Sequence, residues 1–281
     1  MPATADLVQK VEKQAWRNRC KTITMFHKSG QGGHYGGSFS AAEVLTVLYS
    51  GGILKVDPKH PNWPERDHFI LSKGHISGMF GSVLSSAGFF PEEKLETYDE
   101  LGSMIGMHTT LKIPGCDHPA GSLGHGLSVG VGAALAKKID GNPSRVFILQ
   151  GDGEIMEPEP WAAAMSASKF KLDNLISIID RNGLSMDGPT EEVMPLEPLE
   201  DKWRAFGWSV KTVDGHNVKE LLEVFQAVPF EKGKPTCVIA KTVKGKGCPY
   251  MENQYKYHYS SLTEDGFEEL YKEMENLGEV E

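Results

Sequence analysis

Gly151-Asp152-Gly153-Glu154 stands where one apolar run, Arg145 to Gln150, ends; Asp180-Arg181-Asn182-Gly183-Leu184 stands where a second, Asn174 to Asp180, ends. The two runs read as strands and Trp161 to Phe170 between them as a helix, which puts Asp152 and Asn182 at the carboxyl ends of two strands. Ligands of open α/β sheets bind at that edge. A carboxylate, an amide oxygen and a backbone carbonyl are the hard oxygen donors that Mg²⁺ or Ca²⁺ takes, with positions left for phosphate oxygens and water. Gly153 lets a phosphate come close to the backbone, and the following helix N-terminus favours negative charge. An Asp-Gly pair alone is a common turn former. The stronger sign is the second strand, which ends in a side chain able to reach the same ion.

Four histidines, His34, His75, His108 and His125, lie in loops or beside glycines, and His258 lies near the end of the chain. Taken singly, each reads as a surface or hydrogen-bonded residue. Their shared placement, after a strand or before a helix, is where an α/β sheet builds its site. Neutral imidazoles there can donate to hydroxyls or carry protons near pH 7. Glu157, five residues after Asp152, favours a helix N-terminus.

The elements that must position these residues alternate. Helices are expected over Leu7 to His27, Ser40 to Tyr49, Ile76 to Ala87, Pro91 to Glu100, Leu127 to Lys138 and Val218 to Val228. Ser40 and Glu43 have the spacing of a capping box for the second of these. Further strands are expected at Asp67 to Leu71, Ser209 to Val213 and Thr236 to Thr242. Alternation of this kind implies an α/β fold with a mostly parallel sheet covered by helices on both faces. Met104 to His118 is irregular and lines something. The segment after Leu262 is acidic and helical, and reads as a solvated face.

The 281 residues suit one large domain, 1–281, with a helical lead-in over 1–30 and an acidic tail over 262–281. A net charge of -9 without a basic run argues against nucleic acid and anionic membranes, so any phosphate affinity must be local. Cys20, Cys116, Cys237 and Cys248 are scattered, as reduced thiols of a cytoplasmic protein would be. The first ten residues lack a signal-peptide core, and no apolar run is long enough to span a bilayer.

Gly-Asp-Gly with Asn182 thirty residues beyond Asp152 resembles the thiamine diphosphate signature. From the Gly30–Ser40 loop to Lys246 the chain resembles one half of a transketolase, the diphosphate-binding domain. The resemblance implies that Asp152, Asn182 and the Leu184 carbonyl hold the metal, Mg²⁺ or Ca²⁺. It implies that His75, in Leu-Ser-Lys-Gly-His, touches the cofactor diphosphate, and that Gly153 lies beside it. His34, in Gly-Gly-His-Tyr-Gly-Gly, resembles the histidine of the family's GHPGG, which contacts substrate oxygens. His108 lies thirteen residues before Gly121, the family spacing between a substrate-contacting histidine and the GPLGQG loop. That loop is here Gly121-Ser-Leu-Gly-His-Gly, with Gly121 and Leu123 against the cofactor. His258 resembles a histidine reaching the diphosphate and the reacting centre. Glu157 resembles part of an acidic network across a dimer interface.

The carboxylate that activates the cofactor comes, in transketolases, from a second domain, and nothing here follows Glu281. The resemblance therefore implies the N-terminal subunit of a split transketolase. Its partner would carry the pyrimidine-binding domain in an α2β2 assembly, and its substrates would be small sugars passing a two-carbon unit from a ketose to an aldehyde. A non-catalytic cofactor-binding relic and a subunit of another thiamine enzyme, of the deoxyxylulose-phosphate-synthase kind, are the alternatives. Tyr35 stands where the family has proline, Met156 and Pro158 flank Glu157 in place of Gln and Gly, Ala162 stands where a second interface glutamate is common, and His125 replaces glutamine. Tyr35 and His125 fall in loops expected to border the cofactor and substrate, and they read either as altered recognition with the chemistry kept or as neutral drift in loop packing.

Overall fold

Strand β2, Val146–Gly151, is buried at every position, which requires cover on both of its faces. The computed structural model describes residues 3–277 and supplies that cover. β1 (His68–Leu71), β2, β3 (Leu175–Arg181), β4 (Ser209–Asp214) and β5 (Thr236–Lys241) form one parallel sheet in the order β1-β2-β3-β5-β4. Successive side chains enter opposite layers. Phe147 and Leu149 join Leu71, Ile178 and Val238 on one face, and Val146 and Ile148 join Ile70, Leu175 and Ile239 on the other.

The helix expected from Pro91 is a 3₁₀ helix, Glu92–Thr97, and ten α-helices surround the sheet among the described residues. In chain order they are α1 (Ala5–Ser29), α2 (Tyr35–Ser40), α3 (Ala42–Ser50), α4 (Ser77–Ser86), α5 (His125–Ile139), α6 (Glu159–Lys169), α7 (Thr190–Val193), α8 (Leu199–Ala205), α9 (Val218–Gln226) and α10 (Glu264–Leu277). α1, α3, α4, α9 and α10 contribute to the first layer, and α5, α6 and α8 to the second. No helix among them is long and apolar enough to cross a membrane.

The fold follows the expected α/β pattern, with most boundaries moved by one or two residues. Two local expectations fail. Ser40 does not cap a helix: it closes α2, and its hydroxyl donates to Asp180 Oδ2 at 2.6 Å. The N-cap of α3 is Ala41, so the Ser40 oxygen is not placed to accept from that helix's free amides, and its hydroxyl donates to the buried carboxylate instead. Glu43 likewise serves the buried Arg19, which donates to it through both terminal nitrogens at 2.6 and 2.7 Å. The acidic segment after Leu262 is not a solvated face throughout, because α10 buries Leu270 and Met274 fully in the first layer.

The sheet places the ends of β1, β2, β3 and β5 at one edge, and the loops there are drawn close. The amide of Gly126, in α5, donates to Ser72 Oγ at 3.1 Å, and a Cβ on Gly126 would lie 2.2 Å from that oxygen. Gly126→Ala must push α5 from the end of β1. We expect a loss of about 1–3 kcal/mol in unfolding free energy, seen as a lower urea midpoint with an unchanged slope.

Candidate active site

At the carboxyl edge a cavity of about 350 Å³ gathers residues from every major loop. His34, His75, His108, Gly121, Leu123, Asp152, Gly153, Asn182, Leu184 and His258 all line it. Glu157 does not; it is exposed beside Gly124. A larger groove of about 540 Å³ runs along α1 away from this edge, and there Lys21 pairs with Glu92 and Lys28 with Glu96.

The floor is a buried ion pair. Lys73 Nζ, just beyond β1, donates to Asp180 Oδ2 at 2.5 Å, and both side chains are all but inaccessible. Ser40 and Thr242 hydroxyls donate to the same carboxylate. Burial pushes the Asp180 pKa up, but Lys73 and these donors outweigh it and hold the group below its ordinary value.

Asp152 is in the opposite condition. It accepts from the amides of Gly153 at 2.8 Å and Gly183 at 2.6 Å, and from Arg181 Nη1 at 3.2 Å. Burial and the nearby Asp180 charge still raise its pKa, more than Gly183, Arg181 and Lys73 lower it. A buried carboxylate left short of positive charge suits a cation. Gly183, at φ 79°, reverses the chain after Asn182 in a conformation that favours glycine. The Leu184 carbonyl beyond it accepts from Lys244 Nζ at 2.8 Å, so an ammonium already occupies the acceptor that the sequence pattern suggests for a metal. Among the described residues no three His, Cys, Asp or Glu side chains converge as a metal site. The donors at hand are one carboxylate, an amide and a carbonyl. That set fits a hard divalent ion completed by phosphate oxygens better than one held by protein alone.

The sequence pattern does not single out Lys244, Lys73 or Glu154. Lys244 Nζ also donates to Ser185 O at 2.9 Å and lies 3.1 Å from His258 Nδ1. Burial and Lys73 bring its pKa down to about 8, against the pull of Asp152 and Asp180. Glu154 is buried and accepts from Ser72 Oγ, from Gly124 N at 2.9 Å and from Gly151 N at 3.0 Å, tying the Gly121–Gly126 loop to the ends of β1 and β2. The signal that could find all three is a charged residue shortly after a buried strand.

The glycines of the 30–40 loop are explained by the same crowding. A Cβ on Gly36 would meet Lys244 Cγ at 2.9 Å, and one on Gly37 would lie 3.3 Å from His75 Nε2. The histidines form a cluster. The His34 ring lies 5.1 Å from His75, 5.4 Å from His258 and 6.1 Å from His108, centre to centre. His34 Nδ1 is buried without a partner. The two substitutions expected near substrate are placed otherwise. Tyr35 is fully buried, edge-on to Phe26 and Phe39, and His125 is exposed outside the cavity lining. The altered recognition expected from them loses its structural basis, because a tyrosine here fills core rather than facing a ligand.

Burial first, and then nearby lysines, disfavour the charged forms of His34, His75 and His258. Burial, then His108, Lys244 and Lys73, lower the His34 pKa to about 4; burial, then Lys244, His34 and Lys73, lower His258 to about 3. His75 moves well below its ordinary value, by burial first and then Lys73. Unfolded histidines gain protons near pH 6.5, but these gain them only near 4 and 3. The unfolded chain therefore binds more protons in between, and stability present above pH 6.5 is lost as pH falls through that window. We expect the free energy of unfolding to decline from pH 6.5 towards 4, with a shallower decline in His34→Asn and His258→Asn. Histidine titration by NMR should show neither ring protonated at pH 5.5.

A family profile described as "Transketolase, thiamine diphosphate binding domain" matches residues 14–277. The chain is 40% identical over 267 residues to one of the apulose-4-phosphate transketolase subunits of Phocaeicola vulgatus, covering 95% of this chain and 94% of that one. It is 41% identical over 272 residues to a 6-deoxy-6-sulfo-D-fructose transketolase subunit of Clostridium sp. strain MSTE9, covering 96% and 98%. The transketolase of Campylobacter jejuni superposes with a TM-score of 0.88 at 29% identity, over 96% of this chain but 43% of that longer one. The match to subunits over nearly their whole length, and to less than half of the longer enzyme, identifies the part concerned: the chain belongs to the transketolase family of transferases, as its thiamine diphosphate-binding subunit.

Proposed function

We propose that this chain holds thiamine diphosphate with Mg²⁺ or Ca²⁺ and serves ketol transfer, a two-carbon unit passing from a ketose to an aldehyde. The observation that carries the reading is the convergence, on one cavity, of Asp152, Asn182 and the Leu184 carbonyl with two buried lysines and four histidines. Asp152, Asn182 and the Leu184 carbonyl would hold the cation once Lys244 Nζ moves from that carbonyl. Lys73, Lys244, His75 and Gly153 would face the diphosphate, and Gly121 and Leu123 the organic part. Thiamine diphosphate, when bound, supplies the carbanion-stabilising chemistry. The protein orients groups, excludes water and moves protons. His34, His108 and His258 are the proton-handling residues of this reading. Near pH 7 His34 and His258 are neutral, so each has one nitrogen to donate and one to accept.

We further propose a partner protein carrying the pyrimidine-binding domain, in an α2β2 assembly within the cytoplasm. Leu123, Met186, Val193 and Met194 form an exposed apolar border near the cavity, the kind of surface that a second protein covers. The two bacterial relatives are named for a phosphorylated and a sulfonated ketose. A ketose with an anionic end fits the proposal, and the only lysines or arginines among the described cavity residues, Lys73 and Lys244, lie at the diphosphate end. The partner would then receive the sugar's charge. Glu157, exposed beside this border, is placed to meet that partner or a second copy.

Two measurements test the reading. Asp152→Ala should weaken thiamine diphosphate binding with Mg²⁺ by at least the roughly 10–100-fold that changes behind a metal ligand cost. Calorimetry at fixed Mg²⁺ checks this, and undiminished affinity would remove Asp152 from the site. The purified chain should transfer no ketol unit until mixed with its partner, with activity saturating at one copy of each. Turnover of ketose phosphates by the chain alone would contradict the split assembly.

A further inference from the structure

His216 is outside the cavity, in the turn between β4 and α9, yet its ring bridges two fixed points. Its Nδ1 lies 2.8 Å from Glu43 Oε2, and its Nε2 accepts from the backbone amide of Val243 at 2.8 Å. An amide N–H can only meet a lone pair, so Nε2 carries no proton. The ring proton is therefore on Nδ1, donated to Glu43. Behind Glu43 stands Arg19, donating through both terminal nitrogens and, from Nη2, also to Phe39 O at 2.8 Å. Burial opposes the Glu43 charge, but Arg19 and His216 outweigh it and bring the pKa to about 2. The acceptor of the histidine proton is thus a fixed anion.

Val243 is where such a bond matters. β5 ends at Lys241, and Gly215 N to Lys241 O, at 2.7 Å, closes the ladder with β4. Thr242 N still reaches Arg181 O at 3.1 Å on the other side. The Val243 amide lies beyond the ladder, and the next residue is Lys244. Past it, Gly245 N donates to Gly36 O and Asn253 N to Lys244 O, both at 2.9 Å, which fixes the chain downstream. His216 supplies the upstream point.

We infer that His216, oriented by Glu43 and Arg19, is a positioning residue that holds the Val243 backbone and thereby aims Lys244 at the diphosphate end of the cavity. The inference rests on the reading of that end as the diphosphate site. A line of contacts then runs from α1 through α3 and the β4–α9 turn to the ammonium, with only Lys244 facing the ligand. A ring of similar shape without the acceptor would free the Val243 amide and let residues 242–244 rotate.

The test is thiamine diphosphate affinity at fixed Mg²⁺, by calorimetry on the chain together with its partner. Lys244→Met should weaken binding about 10–100-fold, as loss of a buried charge contact does. His216→Phe should weaken it about 10-fold, whereas His216→Gln, whose amide oxygen can accept from Val243, should stay within about 3-fold of the parent. The double variant H216F/K244M should bind about as K244M does, because residues acting through one another are not additive. Equal losses from H216F in the two backgrounds, or none in either, would overturn the inference while leaving the site intact. An unaffected K244M would overturn the diphosphate reading itself, and this inference with it. Should H216F fail to fold, ¹⁵N-histidine NMR of the unmodified pair decides: the resonance missing in H216Q must belong to a ring protonated on Nδ1, and an Nε2-protonated ring would end the proposal.

Discussion

Asp180 accepts from Lys73, Ser40 and Thr242 with no exposure to solvent, and those donors come from the ends of β1, α2 and β5. One carboxylate therefore joins four segments that are far apart in the chain. Removing either partner of a buried ion pair leaves a charge stranded, at a cost of about 3–5 kcal/mol. The closeness of the glycine loop, the placement of His75 and the thin compensation of Asp152 all depend on this joint. It also sets the electrostatics, because the Asp180 charge that fixes Lys73 is the same charge that raises the Asp152 pKa.

The cavity is built on unequal compensation. Asp180 has ample donors, and Asp152 has too little positive charge for its burial. Lys244 rests on two carbonyls and His258 rather than on a carboxylate. Such an arrangement costs stability by itself and favours a ligand that brings both an anion and a cation. His34 and His258 follow the same logic, since burial first, and then the nearby ammonium groups, disfavour their charged forms.

Departures from the family pattern divide by position. Tyr35 is a core residue packed on Phe26, although it neighbours His34 in the chain. Helix α2 turns successive side chains by about 100°, so adjacent residues face different ways. His125 opens α5 towards solvent, on the side where Glu157 also lies. Neither residue lines the cavity.

Local pattern alone determined the alternation of strands and helices, the sheet's parallel character and the placing of Asp152 and Asn182 at one edge. Those features repeat with the periods of the backbone, and a parallel strand delivers its last residue to the edge whatever surrounds it. Loop placement marked His34, His75 and His108 as candidates, but their individual roles came from resemblance, and nothing in the spacing of His34, His75, His108 and His258 makes them neighbours. What the tertiary structure decided involves partners far apart in the chain: Lys73 with Asp180, Glu154 with Ser72 and Gly124, and His216 with Glu43 and Val243. It also turned Ser40 from an expected cap to an Asp180 donor, and Leu270 and Met274 from an expected solvated tail into core. The reason is the same in each case. A polar or apolar group chooses its partner by what burial leaves within reach, and reach is set by packing of the whole chain rather than by its local sequence.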